Sequence, residues 1–287
     1  MKQTGNTILI TGGGSGIGEA LAQRFHDLGN TVIVAGRRRS ALDAAIAGRS
    51  NMHAITLDVD SAEGIADFAR RVLAAHPGLN VLINNAGIMR DEALDRSRDL
   101  ADAEATIATN LLGPIRLIDA LIDHLTQQPD AAIVNVTSGL AFVPLTLAPT
   151  YSATKAAIHS YTISLREILK GKVEVIELAP PGVQTTLTPG QENRPGYQPL
   201  NDFADEVMAL FAEVPTPKEI LVERVRFLRD AEADGRFDET LVHSTNDRGR
   251  RVRRRDRAIT NRTVPPEQPS SWSRWPIERL SRYWVST

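Results

Sequence analysis

The stretch YSATK places a tyrosine, Tyr151, four residues before a lysine, Lys155. On a helix this spacing puts the two side chains on one face, one turn apart. A free tyrosine has a pKa near ~10, so its proton is held too tightly at neutral pH for easy transfer. An ammonium within ~4–6 Å favours the phenolate and lowers that pKa by ~1–3 units. The spacing is therefore compatible with acid–base chemistry, and equally with a tyrosine that fills the core beside a solvated lysine.

Apolar, β-branched runs alternate with helical patterns along most of the chain. This alternation predicts an α/β fold with a doubly wound parallel sheet and helices on both of its faces. In such sheets, ligands bind outside the carboxyl ends of the strands. The predicted strands are 7–11, 31–36, 52–58, 80–87, 131–138 and 172–180, and the predicted helices are 16–29, 41–48, 61–78, 100–127 and 151–170.

A glycine-rich turn, TGGGSGIG at 11–18, joins the first predicted strand to the first predicted helix. Glycines at 12, 16 and 18 let the backbone approach a ligand closely, and the start of the helix offers free N–H groups to a pyrophosphate. Such a turn alone is a weak signal. Its position between a strand and a helix is the context that indicates a nucleotide site.

Five features in this order resemble the short-chain dehydrogenase/reductase family over about residues 5–235: TGGGSGIG, NNAG at 84–87, Asn110, Ser138 and YSATK. The resemblance implies a Rossmann-type fold. It also implies an oxidoreductase that transfers a hydride between a nicotinamide cofactor and a small-molecule carbonyl or secondary alcohol. The alternative on the same fold is a protein that senses or binds NADP without turnover, although such proteins typically lack the tyrosine or the lysine.

The resemblance assigns roles to four residues. Tyr151 would be the general acid/base, Lys155 would assist it and hydrogen-bond the nicotinamide ribose, and Ser138 would bind the substrate oxygen. The main-chain carbonyl of Asn110 would hold a water that links Lys155 to solvent. Pro114, four residues later, has no N–H for that carbonyl, which favours this interpretation over a simple helix kink.

The second predicted strand ends in AGRRR, with no acid between Thr31 and Leu42. Family members that prefer NAD usually place an aspartate here, whereas a 2′-phosphate needs a cation. We therefore expect NADP(H) in preference to NAD(H), with Arg37 the first choice for the phosphate; a solvated helix start is the alternative. The expected cofactor-binding residues are Gly12, Gly14, Ser15, Gly16, Ile17, Gly18, Arg37, Arg38, Asp58, Val59, Asn85, Ala86, Gly87, Tyr151, Lys155, Pro181, Gly182, Val183 and Thr185.

Three segments are expected to set the choice of substrate: 88–93, 140–150 and 186–206. The last is rich in proline and glycine, as lids often are. Phe142, Val143 and Leu145 make the second segment apolar, which argues against a small, highly charged substrate.

After residue 215 the pattern predicts a charged helix, without the final Gly-Gly strand that many family members use in tetramer contacts. A tetramer is therefore in doubt, and we expect a homodimer through helices 100–127 and 151–170. This ending resembles an uncharacterised bacterial subgroup near the oxidoreductases associated with D-alanylation of teichoic acid. That association is a neighbourhood label, and it implies no particular chemistry for this chain.

Residues 244–287 differ from the rest of the chain, so we expect a Rossmann-fold domain at 1–243 followed by a tail. Eleven arginines against four acids give the tail a charge of +7, which leaves −9 for the body of a chain whose net charge is −2. The prolines and arginines predict a disordered or loosely attached tail, with an oligomer or partner contact as the alternative. Nucleic-acid binding is not expected, because aromatic residues do not interleave with the basic run.

Composition excludes other classes. There is no cysteine, so disulfides and thiol chemistry are excluded. The six histidines are not paired at ligand spacing, so no metal site is expected. The N-terminal apolar run is too short for a signal peptide or a membrane span, and we expect a cytoplasmic location.

Overall fold

A parallel sheet of seven strands forms the centre of the structure, a computed structural model that describes residues 1–244. The strand order is β3-β2-β1-β4-β5-β6-β7, and all neighbouring strands run parallel. The predicted Rossmann-type doubly wound sheet is confirmed. The strands are β1 (Thr7–Thr11), β2 (Thr31–Gly36), β3 (Met52–Thr56), β4 (Leu79–Asn84), β5 (Ala132–Val136), β6 (Glu174–Leu178) and β7 (Glu219–Ile220).

Helices cover both faces of the sheet because successive side chains of a strand point to opposite sides. Ile8 and Ile10 of β1 pack in one buried cluster, and Leu9 packs in the other. The first cluster contains side chains of α1 (Gly16–Asp27), α2 (Arg39–Ile46), α7 (Leu200–Phe211) and α8 (Glu223–Arg229). The second contains side chains of α3 (Ala62–Ala75), α5 (Gly113–Leu125) and α6 (Pro149–Ile168).

Local signals in the sequence mark several helix ends. The Ser61 side chain accepts a hydrogen bond of 3.0 Å from the Gly64 N–H at the start of α3, as a serine N-cap does. Helix α1 ends at Asp27, and Gly29 follows with φ +85°, the left-handed conformation that closes many helices. The boundaries of the predicted elements are therefore right to within a few residues in this half of the chain.

Two elements in the C-terminal part of the described chain differ from the sequence predictions. The chain after residue 215 does not enter a helix directly: Glu219–Ile220 first pairs with β6 as the seventh strand, and only then does α8 begin. The predicted lid segment 186–206 includes the first turns of α7, whose Phe203 and Val207 are buried against α1. Prolines and glycines before residue 200 hid this amphipathic helix.

The predicted helix 100–127 consists of three pieces: α4 (Ala101–Ile107), a π-helical turn (Ala108–Leu112) and α5. The turn lies just before Pro114, whose missing N–H interrupts the regular ladder of hydrogen bonds. Among the described residues, Ala101–Leu125 is the one helical stretch with the length and apolar content of a membrane span, at a mean hydropathy of 1.3. Its buried side chains, such as Leu117 and Leu121, pack against the sheet, as those of a core helix do.

The expected domain boundary at 243 and 244 falls at the end of the described residues. The predicted tail, 244–287, lies almost wholly outside them, so its expected disorder stays a prediction.

Candidate active site

The strand order reverses between β1 and β4, and the carboxyl ends of these strands border a cavity of about 430 Å³. A doubly wound sheet binds ligands at such a reversal. The lining comes from five places: the turn between β1 and α1, the end of β2, the segment after β4, the end of β5 with α6, and the segment after β6. The motifs singled out in the sequence therefore meet at one edge of the sheet.

Glycines shape the turn between β1 and α1 because side chains have no room there. Gly12 has φ +66°, and a Cβ at this position would lie 3.0 Å from the Cα of Ala86. A Cβ on Gly18 would lie 2.5 Å from the carbonyl oxygen of Gly12. The Thr11 hydroxyl accepts hydrogen bonds of 3.0 Å from the N–H groups of Asn85 and Ala86, which holds the neighbouring segment against the turn.

Two arginines stand beside this turn. Arg37 and Arg38 line the main cavity and also a second one of about 190 Å³, which Asp58 and Val59 line from the end of β3. Arg37 lies 4.0 Å from Asp60 with 61% of its side chain exposed, and Arg38 donates to the Ser15 hydroxyl at 3.5 Å. Such long, exposed contacts are weak, so both guanidinium groups are available to an anionic ligand.

Tyr151 and Lys155 lie on one face of α6, as their spacing predicts. Both are buried, with 7% and 5% of the residue exposed, and both line the main cavity. The Lys155 Nζ lies 5.6 Å from the centre of the Tyr151 ring and donates a hydrogen bond of 2.8 Å to the Val136 carbonyl. Burial lowers the pKa of Lys155 to about 8, because a low-dielectric site disfavours the ammonium.

Asn110 lies in the π-helical turn and is buried. Its Oδ1 accepts a hydrogen bond from the Ile88 N–H, and its Nδ2 donates to the Ile88 carbonyl, both at 2.9 Å. A Cβ on Gly87 would lie 3.3 Å from this Oδ1 and 3.8 Å from the Lys155 Nζ. The side chain of Asn110 therefore fixes the segment that follows β4, opposite Lys155.

Ser138 follows β5 and lines the main cavity beside Tyr151. Its Oγ accepts a hydrogen bond of 3.1 Å from the Leu140 N–H, which leaves the hydroxyl proton available to another acceptor. Thr137 donates a hydrogen bond of 2.7 Å to Glu177, a fully buried carboxylate of β6. The position of Ser138 is thus tied to a buried polar group behind the site.

Glu177 also contacts His159 of α6, at 2.8 Å from Nδ1. This hydrogen bond raises the pKa of His159. Ligand atoms of His159, Glu177 and Glu219 lie within 4.8 Å of one another, although the three residues are far apart in the sequence. Glu177 is engaged by Thr137 and His159, and Glu219 by Arg229 at 3.0 Å, so the described groups form a network of ion pairs.

The apolar segment 140–150 does not line the cavity. Val143 and Leu145 are buried in the protein, and the Phe142 ring lies between His159, at 5.0 Å, and the Arg229 guanidinium, at 4.7 Å. These side chains therefore give no argument against a charged substrate. They contribute to packing behind Ser138 instead.

Most of the expected site residues line one of the two cavities, and three do not: Gly18, Gly182 and Asn110. Gly18 allows close backbone approach inside the turn, and a Cβ on Gly182 would lie 3.0 Å from the Tyr197 ring. These two glycines shape the site from outside it.

Sequence reasoning missed several residues that support the site, among them Thr11, Thr137, Glu177 and His159. Thr11 and Thr137 each stand next to a predicted site residue at a strand end, which is a usable signal. Glu177 lies in the buried part of β6, where an acid among apolar residues marks a buried polar partner. Its partner on α6 could not be identified from spacing alone.

Known proteins share both this sequence pattern and this fold. The family model for short chain dehydrogenases matches residues 6–195. The "Uncharacterized oxidoreductase DltE" of Bacillus subtilis is 41% identical over 236 residues, which are 80% of this chain and 93% of the relative.

Two solved structures resemble the described fold. A short chain dehydrogenase from Burkholderia cenocepacia in complex with NADP has a TM-score of 0.70 at 25% identity, with 82% of this chain and 95% of that one covered. A 3-ketoacyl-(acyl-carrier-protein) reductase from Brucella melitensis complexed with NADH has a TM-score of 0.67 at 25% identity, with 75% and 93% covered. Together with the glycine turn and the Tyr151–Lys155 pair, these likenesses show that the chain belongs to the short-chain dehydrogenase/reductase family of oxidoreductases.

Proposed function

We propose that this protein is an NADP(H)-dependent oxidoreductase that interconverts a carbonyl and a secondary alcohol, with Tyr151 as general acid/base. One observation carries the proposal: the buried Tyr151–Lys155 pair lines the same cavity as the glycine turn and the two arginines. An acid/base and a nucleotide cradle are thereby combined in a single site. The likeness to the family supports the same reading.

The glycine turn fits a dinucleotide because its glycines have no side chains to block the approach of a pyrophosphate to the backbone. Residues of the turn, of the segment 85–87 and of the segment 181–185 line the cavity, together with Tyr151 and Lys155. The related structures from Burkholderia and Brucella contain NADP and NADH, respectively. A nicotinamide cofactor held here would supply or accept the hydride.

Tyr151 is proposed to give its phenolic proton to the carbonyl oxygen during reduction and to remove the alcohol proton in the reverse direction. Ser138 donates its hydroxyl proton to the same oxygen, since its Oγ accepts from the Leu140 N–H and the O–H remains a donor. Lys155, anchored at the Val136 carbonyl, supplies positive charge beside the phenol and a contact for the ribose. In this scheme the main-chain carbonyl of Asn110 holds the water that links Lys155 to solvent.

The preference for NADP rests on Arg37 and Arg38. Both line the cavity end bordered by β2 and β3, and within the described part of the chain both have only weak contacts with protein groups. Arginine offers planar paired donors that suit a phosphate. In this reading Asp58 and Val59, which line the same smaller cavity, contact the adenine.

We also propose a homodimer that forms through helices 100–127 and 151–170 in the cytoplasm. The supporting observation is a set of exposed apolar side chains on these helices: Ile107 (40%), Leu112 (38%) and Ile163 (48%). Burial of apolar area favours association.

A panel of ketones and secondary alcohols, followed by NADPH absorbance, tests the proposed reaction. We expect turnover with NADP(H) and a lower kcat/KM with NAD(H). Tight NADP binding without turnover on any member would instead favour a cofactor-sensing protein. Absence of binding by both nucleotides would overturn the proposal.

A further inference from the structure

The main cavity carries positive charge without any acid. Its lining includes Arg37, Arg38, Arg90 and Lys155, and no aspartate or glutamate of the described chain is among the lining residues. Arg37 and Arg38 also line the smaller cavity between β2 and β3, and Lys155 is anchored at the Val136 carbonyl. Arg90 is therefore the one lining cation of the described chain without a place in the proposed function.

The backbone on both sides of Arg90 is fixed to the catalytic elements. Before it, Asn110 holds Ile88 through two hydrogen bonds, and the Met89 side chain is buried in a small cluster with Tyr151. After it, the Glu92 N–H donates a hydrogen bond of 2.9 Å to the Leu147 carbonyl. Arg90 thus belongs to a segment whose path is set next to the acid/base.

Glu92 reinforces this attachment. Its carboxylate has 5% of the side chain exposed and accepts hydrogen bonds from the Thr150 N–H at 3.0 Å and the Thr150 hydroxyl at 2.8 Å. Arg98 neutralises the carboxylate at 2.5 Å. Thr150 lies in the first turn of α6, directly before Tyr151. The Glu92 carboxylate therefore joins the segment after β4, which contains Arg90, to the start of α6.

Among residues 1–244, the Arg90 guanidinium has only weak partners. It lies 3.6 Å from Asp102 of α4, with 47% and 68% of the two side chains exposed, and donates to the Met89 carbonyl at 3.3 Å. Exposed pairs of this kind contribute little to stability. A ligand carboxylate that offers two oxygens in one plane forms the stronger paired contact with arginine and would displace Asp102.

We infer that Arg90 binds an anionic group of the substrate, so that the enzyme acts on hydroxy acids and oxo acids whose carboxylate contacts Arg90 while the reacting oxygen contacts Ser138 and Tyr151. This inference rests on the proposed function, since it names the substrate class of the same site. The corrected position of segment 140–150 removes the argument against a charged substrate. With Lys155 already assigned to the acid/base and the ribose, Arg90 is the cation left to neutralise an anion near Tyr151, and no aspartate or glutamate is among the described lining residues.

Matched pairs of substrates test the charge directly. The probes are hydroxy acids with the hydroxyl on the second, third or fourth carbon, each beside its methyl ester, oxidised with NADP+. For at least one pair we expect kcat/KM of the wild type to be at least about tenfold higher for the acid than for the ester. Arg90→Ala should reduce that preference below about threefold, mainly through a higher KM for the acid.

Two further variants separate substrate binding from a structural role. Arg96→Ala is the matched control, because Arg96 lies in the same segment, is 74% exposed, contacts Asp95 and does not line the cavity. It should keep the preference. Asp102→Asn removes the competing carboxylate and should lower the KM for acids about twofold. If the Arg90–Asp102 pair only stabilised the fold, Asp102→Asn and Arg90→Ala would instead change the KM in the same direction.

A wild type without any preference for acids, or an Arg90→Ala variant that keeps the preference, would overturn the inference. Binding distinguishes its failure from failure of the proposed reaction. The same acids are titrated into the NADP+-loaded protein and followed by its melting temperature. If no alcohol is oxidised, a shift by an acid that Arg90→Ala abolishes still supports the anion site, and the absence of any shift with the wild type contradicts it.

Discussion

The two ends of the main cavity are built differently. At the nucleotide end, between β1, β2 and β3, the shape comes from bare backbone: glycines stand where a Cβ would collide with main-chain atoms. At the substrate end, side chains of separate elements meet: Ser138 follows β5, Tyr151 lies on α6, and Arg90 lies in the segment after β4. The first end resists substitution because main-chain atoms and the Asn85 amide lie within 3.0 Å of the positions that a Cβ would take at Gly12 and Gly18. The second can change its ligand through single side chains, since a rigid scaffold holds them.

A side chain added in the glycine turn at the nucleotide end should weaken cofactor binding through steric clashes. In Gly18→Ala the new Cβ would lie 2.5 Å from the Gly12 carbonyl oxygen, so the turn must move. Overpacking of this kind costs about 1–3 kcal/mol of stability. We also expect a loss of NADP affinity of about a hundredfold, measured by isothermal titration. Gly78→Ala is the control, since its Cβ would make an ordinary contact of 3.7 Å with Thr7. Similar behaviour of the two variants would contradict the view that the turn is sterically fixed.

Removal of positive charge at the nucleotide end should change the affinity for NADP more than that for NAD. The glycine turn itself should stay intact. The double variant Arg37→Ala, Arg38→Ala is expected to weaken NADP binding by about tenfold to a hundredfold, as the loss of charge-assisted hydrogen bonds does. NAD binding should change little, which a parallel titration checks. Arg39→Ala serves as the control, because Arg39 pairs with Asp43 at 2.8 Å and does not line the cavities. Equal loss for both cofactors would show that the pair does not bind the 2′-phosphate.

At the substrate end the buried Lys155 predicts a pH dependence of stability. Its pKa is lowered from 10.5 to about 8. Between these values the unfolded chain still holds a proton that the folded chain has released, so the free energy of unfolding rises with pH. Relative to Lys155→Met, the wild type should gain about 2 kcal/mol between pH 7.5 and pH 9.5 in urea denaturation. A constant difference between the two proteins would mean that Lys155 keeps an ordinary pKa.

The network behind Ser138 should show a smaller effect of opposite sign. The hydrogen bond to Glu177 raises the pKa of His159 above its usual ~6.5. The resulting stability is fully present below the unfolded pKa and is lost as the pH rises through the folded one. His159→Gln keeps a hydrogen-bond donor but not the charge. It should cost about 1 kcal/mol near pH 5.5 and progressively less above neutrality, measured by urea denaturation. A cost that does not depend on pH would contradict a charged His159.

The contrast between the two ends also explains how much the sequence could reveal. Glycines at 12, 16 and 18, placed between a strand and a helix, already predict a nucleotide turn, because main-chain geometry leaves a local pattern. Tyr151 and Lys155 are similarly local, one helical turn apart. The fold class follows from the alternation of strands and helices, and the sheet confirms it.

Contacts between distant segments could not be predicted in this way. The Glu177–His159 pair joins β6 to α6, and Glu92 joins the segment after β4 to the start of α6. Neither has a fixed spacing in the chain. Phe142 illustrates the same limit: its apolar character was evident, but only the packing between His159 and Arg229 shows that it faces away from the cavity. Helix α7 was missed because local proline and glycine outweighed its amphipathic pattern.

The central claim is that the tyrosine at the substrate end acts with the nucleotide end as one catalytic site. Tyr151→Phe removes one hydroxyl and keeps the ring, so it tests that claim most directly. With an alcohol substrate from the panel and saturating NADP+, we expect kcat to fall at least about a thousandfold, within the range for loss of acid–base catalysis. The Kd for NADP+, titrated on the same preparation, should change less than about threefold. Turnover near the wild-type rate in this variant would contradict the account.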